Sequence, residues 1–400
     1  MWTQYIWALC LAVMCQAQLS DIERYLLTIA EMSPSPPLQN NEKACQVDSS
    51  TNGVCVKRTQ CNLDAPAVDP ATTFILREGG SASNASDVEN ALDTQCAWLQ
   101  ICCPSDKVRE EERQVKFEQP LGCGYSNPGA NVFRESANAY GYADFGDFPW
   151  MIALLQTKND KTKFNDQYIG GGTLIHPSVV LTVAHKVDKL ESPSELTCRA
   201  GEWDAATEDE LFKHQDRNVK NIVIHKNYLK AHVHYDAALL ILKAPFDLVD
   251  SPHIGVACLE LNLPPPGTSC YSMGWGDDFL NGNKFAVLLK KIQLKLVDGE
   301  TCQNQYRNSR LGRGYKLHRS LTCAGGEAGV DTCVSDGGSP LVCPITAKDK
   351  IRFSVVGMVA YGLTCGTENL PGVYVKVPEV YDWAITEMTL LGFNKSTFVY

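Results

Sequence analysis

The chain of 400 residues lacks any uninterrupted apolar run of about 18 residues, so no membrane-spanning helix is expected. It also lacks a surplus of positive charge: 36 Lys and Arg stand against 46 Asp and Glu, a formal net charge of -10. Nucleic acid and anionic membrane surfaces are therefore poor partners. A CxxC pair is missing too, although the chain holds 17 cysteines. No metal or cofactor is called for, and disulfides made in an oxidising compartment account better for that cysteine content. The start has no Lys or Arg near Met1, yet "MWTQYIWALCLAVMCQA" has the apolar run and small-residue ending of an export leader. Cleavage is expected before Gln18, giving a leader over residues 1–17 and a secreted, extracellular chain. In that compartment the Asn84-Ala85-Ser86 and Asn394-Lys395-Ser396 triplets become glycosylation candidates at Asn84 and Asn394.

Loss of the leader removes Cys10 and Cys15, and the remaining cysteines fall into two groups. The first is Cys45, Cys55, Cys61, Cys96, Cys102 and Cys103. It lies in a segment too short and loop-rich to be held by core burial alone, so disulfides must supply the stability. Five residues separate Cys55 from Cys61, five separate Cys96 from Cys102, and the last two are adjacent. This pattern resembles the clip domain of arthropod extracellular proteases, although an unrelated small disulfide module is the alternative. The resemblance implies Cys45-Cys102, Cys55-Cys96 and Cys61-Cys103, a pairing that spacing alone leaves open. The expected organisation is an N-terminal extension over 18–43, a clip domain over 44–104 and a linker over 105–122. The linker, with "SDKVREEERQVKFEQPL", is charged and poor in apolar residues.

From Cys123 the texture changes to short apolar runs such as "FPWMIALL", "GGTLIHPSVVLTVAH", "AALLILKAP" and "FSVVGMVAYG", punctuated by Gly, Pro and Asn. Many short strands and few helices follow, an all-β barrel architecture. "VPEVYDWAITEMTLLG" places Val380, Trp383, Ala384 and Met388 at near-helical spacing and reads as a closing helix. "LTVAHK" around His185, "YDAALLIL" around Asp236, "CYSMGWG" at Cys270, "DTCVSDGGSPLVC" and "PGVYVKV" at Pro371 stand in the order of the chymotrypsin-like serine proteases. The resemblance implies a chymotrypsin-like double β-barrel over 123–392, two six-stranded barrels with the site in their cleft, and a tail over 393–400. It also implies Cys123-Cys258, Cys270-Cys343, Cys302-Cys323 and Cys333-Cys365. Cys198 is left unpaired, as a buried thiol or an exposed one able to crosslink a partner.

In that family an imidazole base and an orienting carboxylate serve a serine nucleophile, and His185 and Asp236 match the first two. The nucleophile loop, Gly-Asp-Ser-Gly-Gly-Pro in the family, reads Ser335-Asp336-Gly337-Gly338-Ser339-Pro340 here, so Gly337 takes the nucleophile's place. Ser339, two positions later, is a poorly placed substitute. Family activation frees an Ile or Val terminus after a basic residue. Here the only basic residue between Cys123 and Trp150 is Arg134, and Glu135-Ser136 follow it. Ala360 takes the place of a serine supporting the carboxylate, Ser335 that of an oxyanion-hole glycine, and Gly170 and Lys186 those of a cysteine pair. Asp331 matches the floor of a pocket for Arg or Lys, retained or relic.

The chain thus resembles the clip-domain serine protease homologues, a subgroup that "RAGEWD" and "HQDRNV" also fit. The resemblance implies a non-catalytic cofactor or regulator of an extracellular cascade in innate immunity, of the prophenoloxidase activation or melanisation type. Its partners would be clip-domain proteases and prophenoloxidase or other cascade proteins. An active trypsin-like endopeptidase with an atypical nucleophile and an extracellular adhesion or matrix-binding protein are the alternatives. The long interval between Cys61 and Cys96 carries "FILREGG", which makes Arg77 a candidate cleavage site, with Arg113 and Lys116 as rivals.

Overall fold

The structure, a computed structural model, describes residues 44–46, 52–57, 100–108, 122–126, 141–157, 164–207, 210, 212–278, 284–328, 336–347, 350–363 and 366–393. It divides into two units, Met1–Arg113 and Gln114–Tyr400. In the first, β1 (Ala44–Gln46), β2 (Asn52–Lys57) and β3 (Gln100–Pro104) form an antiparallel sheet in that order. Cys45, Cys55 and Cys103 are each disulfide-bonded and buried, forming the small interior of this sheet.

The second unit opens with a closed six-stranded barrel made of β4 (Met151–Gln156), β5 (Tyr168–His176), β6 (Val179–Thr182), β7 (Leu196–Ala200), β8 (Gln215–Ile224) and β9 (Ala238–Leu242). Two short helices belong with it, α1 (Phe164–Gln167) before β5 and α2 (Ala184–Val187) after β6. The unbroken apolar strings of β4 and β9 are buried along nearly their whole length. β8 is partly exposed and mixes polar with apolar residues, as a strand with one wet face does. Trp150, Ile152, Leu154, Leu174 and Leu181 are among the large side chains fully enclosed there.

The second barrel consists of β11 (Ser269–Gly274), β14 (Lys290–Val297), β15 (Leu321–Ala324), β16 (Pro340–Ala347), β17 (Lys350–Tyr361) and β18 (Gly372–Lys376). Pairing of β17 with β18 closes it. Along the edge of β17 that β18 occupies further on, β10 (Cys258–Leu259) adds in parallel. A small hairpin, β12 (Asp277–Asp278) and β13 (Lys284–Phe285), stands apart. Leu294, Leu296, Leu341, Val356 and Tyr374 fill the core around the Cys270–Cys343 disulfide. Cys302–Cys323 ties α3 (Gly299–Arg307) to β15. The Asp298 carboxylate caps α3 by accepting from the Glu300 and Thr301 N–H groups. The closing helix is α4 (Val377–Leu390), with a proline in its first turn and with Val380, Ala384 and Met388 buried. Among the described residues no helix is long and apolar enough to cross a membrane. A double β-barrel with a C-terminal helix is thus the architecture that the motif resemblance implied.

Candidate functional site

His185 lies in α2 at the end of β6, and Asp236 enters from the turn that leads into β9. The turn is set by two left-handed residues without glycine's freedom, Val233 (φ 56°) and Tyr235 (φ 47°), a conformation worth roughly 1 kcal/mol or more of local strain each. Tertiary contacts hold it: the Tyr235 N–H donates to Ser320 Oγ at 2.9 Å, and the Tyr235 ring stacks on His225 with centroids 4.9 Å apart. Asp236 is fully buried, and His185 engages both of its carboxylate oxygens. Nδ1 lies 2.6 Å from Oδ2, and the backbone N–H donates to Oδ1 at 2.8 Å. Because a carboxylate only accepts, Nδ1 carries the proton in this contact and Nε2 faces outward as the reactive edge. Ala360, at a register shift between β17 and β18, has no hydroxyl to add to the carboxylate.

What Nε2 faces is the loop before β16. The Gly171 N–H donates to the Gly337 carbonyl at 3.0 Å, and the Gly338 N–H donates to the Val359 carbonyl at 2.9 Å. The Ser339 N–H returns to the Asp336 carbonyl at 2.8 Å. Gly338 has φ +90°, and any Cβ there would run into the Gly171 carbonyl and Thr182 Oγ, so only glycine fits. A Cβ built on Gly337 would lie 3.2 Å from His185 Nε2, 2.5 Å from Lys186 Cε and 3.4 Å from Lys186 Nζ. The lysine's terminal methylenes therefore occupy the space that a side chain at position 337 would need. Lys186 also runs past Gly170, whose Cβ would stand 3.2 Å from the same Cε. Burial lowers the lysine's pKa from its ordinary value, and nearby Asp336 partly offsets that effect. Asp336 is anchored by a 2.8 Å hydrogen bond from the Gly276 N–H to its Oδ1. Ser339 is fully buried, with its hydroxyl against Gly171 on the side toward Gly274. It does not share the His185 edge with Gly337.

The family model described as Trypsin matches residues 142–384. Phenoloxidase-activating factor 2 of Galleria mellonella is 44% identical over 298 residues, covering 72% of this chain and 95% of that protein. The chain belongs to the trypsin family, among its clip-domain serine protease homologues. Inactive CLIP domain-containing serine protease A8 of Anopheles gambiae is 35% identical over 294 residues, covering 72% of this chain and 77% of the relative. Phenoloxidase-activating factor 3 of Holotrichia diomphalia is 32% identical over 364 residues, covering 86% and 93%.

In this homologue His185 and Asp236 are in direct contact, Gly337 faces the imidazole, and Asp336 precedes it on the loop held by the Gly276 N–H. The disulfides Cys123–Cys258, Cys270–Cys343 and Cys302–Cys323 are formed, and Cys198 is free and fully buried on β7. Outside the described residues lie Asp331, Cys333, Ser335, Cys365, Arg77, Asn84, Asn394, Cys61, Cys96, the leader, and Arg134 with Glu135 and Ser136. In the sequence Lys186 stands out only as half of a missing cysteine pair. Its insertion beside Gly337 was hinted at by its place next to His185, opposite a residue with no side chain to exclude it. A second group escaped entirely. His253 is sandwiched between Phe145 and Phe212, with centroids 5.5 and 5.4 Å away, and its Nε2 donates to the Lys213 carbonyl at 3.0 Å.

Proposed function

We propose that this homologue is a secreted non-catalytic cofactor or regulator of an extracellular proteolytic cascade of the phenoloxidase-activating type, with Gly337 standing where an active relative has its nucleophile. One observation carries the reading. His185 is held by Asp236 in the arrangement of a general base, but it faces a glycine and the flank of a lysine. Acyl transfer needs a nucleophilic atom in hydrogen-bond reach of that imidazole. In a related triad system removing the nucleophile costs on the order of a millionfold in turnover. The names of the relatives support the same reading, two being phenoloxidase-activating factors and another an inactive clip-domain protease. The leader-like start and the disulfide-bonded cysteines support export. Clip-domain proteases and prophenoloxidase are the partners this role calls for.

The test has two arms on the full secreted chain. Chromogenic Arg and Lys amides and a fluorophosphonate probe should report neither turnover nor labelling. Added to a mixture of prophenoloxidase and an active clip-domain protease, the chain should change the phenoloxidase activity that develops. Amide turnover that survives Ser339→Ala and vanishes in His185→Ala would contradict the non-catalytic reading. A mixture indifferent to the chain would contradict the cascade role.

A further inference from the structure

Lys186 is a half-buried cation in a cleft. Charges removed from water are ordinarily paired, because an uncompensated one is costly. Among the described residues none provides Lys186 with a carboxylate at ion-pair distance. Of the two acids nearby, Asp236 is engaged by two contacts from His185, while Asp336, held by the Gly276 N–H, favours the ammonium electrostatically without reaching ion-pair distance. The ammonium stands 3.4 Å from the point where a Cβ of residue 337 would lie. Beside it, the Gly337 N–H is the one amide of residues 337–339 without an acceptor among the described residues, since Gly338 and Ser339 give theirs to Val359 and Asp336. A three-donor cation and an amide with no described acceptor thus stand side by side, next to the imidazole edge of His185.

We propose that Lys186 and the Gly337 N–H form a binding site for a carboxylate, with the end of a peptide chain as its main source. A carboxylate offers two acceptor oxygens, one for the ammonium and one for the amide, and charge-assisted bonds of this kind are the stronger class. The lowered pKa of Lys186 fits this placement, because an arriving anion returns the stabilisation that burial removes from the ammonium. The inference rests on the cleft alone and holds whether or not the cascade role does. Every cut made in a protein creates one further such chain end, so the site would take chain termini and not internal peptide bonds.

The experiment is calorimetric titration of the full chain with N-acetyl-trialanine as the free acid, with its C-terminal amide, and with an N-acetyl-aspartyl dialanine amide. The free acid should bind about tenfold or more tightly than the amide. That preference should disappear in Lys186→Gln and persist in Lys186→Arg. Equal affinity of the aspartyl amide would keep the site at Lys186 but make side chains its source. In case Lys186→Gln fails to fold, reductive methylation of the wild-type protein gives a second reading: the free acid should slow modification of Lys186 and the amide should not. Equal binding of acid and amide, no binding of either, a preference that survives Lys186→Gln, or a Lys186 left unprotected by the acid would each overturn the proposal.

Discussion

Replacing Gly337 with serine should destabilise the protein, and it should do so because of Lys186. The new Cβ would stand 2.5 Å from Lys186 Cε, about 1 Å inside ordinary carbon–carbon contact. The lysine must swing away, and overpacking of this kind costs about 1–3 kcal/mol, at the lower end where a flexible chain terminus can give. An opposite effect comes from the unfolded state. Gly337 is not among the glycines at positive φ, so a side chain there is compatible with the backbone and should stabilise by about 0.4–1 kcal/mol through lost chain entropy. In the native background the clash wins, with a net loss of about 0.5 kcal/mol. In a Lys186→Ala background the clash is gone and Gly337→Ser should become stabilising by about 0.5 kcal/mol. For a domain of this size the first change corresponds to a fall of about 1–2 °C in Tm and the second to a rise of about 1–2 °C. Thermal denaturation of the four proteins, wild type, each single variant and the double variant, reads the coupling directly. Equal shifts in both backgrounds would refute the claim that the lysine fills the place of the missing side chain.

Restoring the hydroxyl should not by itself restore proteolysis: we expect Gly337→Ser to stay at background in an amide assay, because Glu135-Ser136 make a poor activated terminus after Arg134. Burial holds His253 neutral and lowers its pKa to about 4, while the Lys213 carbonyl partly offsets this. The unfolded chain takes up a proton that the fold refuses, so stability should fall as pH drops from about 6.5 to 4, by up to about 3 kcal/mol. Urea melts across that window should show the slope in wild type and lose most of it in His253→Gln. Burial and the neighbouring Glu210 push Glu202 up to about 8. Its contribution has the opposite sign, falling as pH rises from about 4.5 to 8, and Glu210→Gln should raise the Tm at pH 7.5 relative to pH 5. Burial raises the pKa of Cys198, with Asp216 adding to the effect. A maleimide should therefore leave it unlabelled in the native protein and label it only in denaturant; rapid native labelling would count against its enclosure.

Much of this architecture was readable because it is carried by local pattern. The run "AALLIL" becomes β9, "FPWMIALL" supplies β4, and the spacing of Val380, Ala384 and Met388 becomes the buried face of α4. His185 and Asp236 were readable for the same reason, each being flagged by its flanking residues. What stayed hidden depends on long-range neighbours. No local signal says that His253 will lie between Phe145 and Phe212, since those rings arrive from distant parts of the chain. The left-handed turn at Val233 and Tyr235 runs against local preference and exists because Ser320 and His225 impose it. Lys186 looked like a substitution that merely deleted a disulfide. Only the folded cleft reveals that the longer side chain occupies a second vacancy, the one above Gly337. Ser339 was legible as a small residue on a tight loop, but its enclosure against Gly171 belongs to barrel packing.

The covalent and hydrogen-bonded docking of residues 122–126 has a mechanical meaning. Cys123 is bonded to Cys258, and the Gly124 N–H donates to the Val256 carbonyl while its own carbonyl accepts from the Phe353 N–H, each at 2.7 Å. Next to it the Arg352 guanidinium lies over the Tyr125 ring, 4.4 Å from its centroid. Phe353 and Arg352 are on β17, and six residues further along that strand Val359 exchanges backbone hydrogen bonds with Gly338 and Ser339. Tension applied upstream of residue 122 therefore enters the second barrel through β17 and runs about 20 Å along a single strand to the loop that holds Gly337. The barrel carrying His185 and Asp236 is reached by a separate route, because the Gly255 and Ala257 N–H groups that flank Val256 donate to the Pro149 and Leu174 carbonyls. A pull on the N-terminal part of the chain therefore loads both barrels at once, and it reaches the wall without a side chain through one continuous strand.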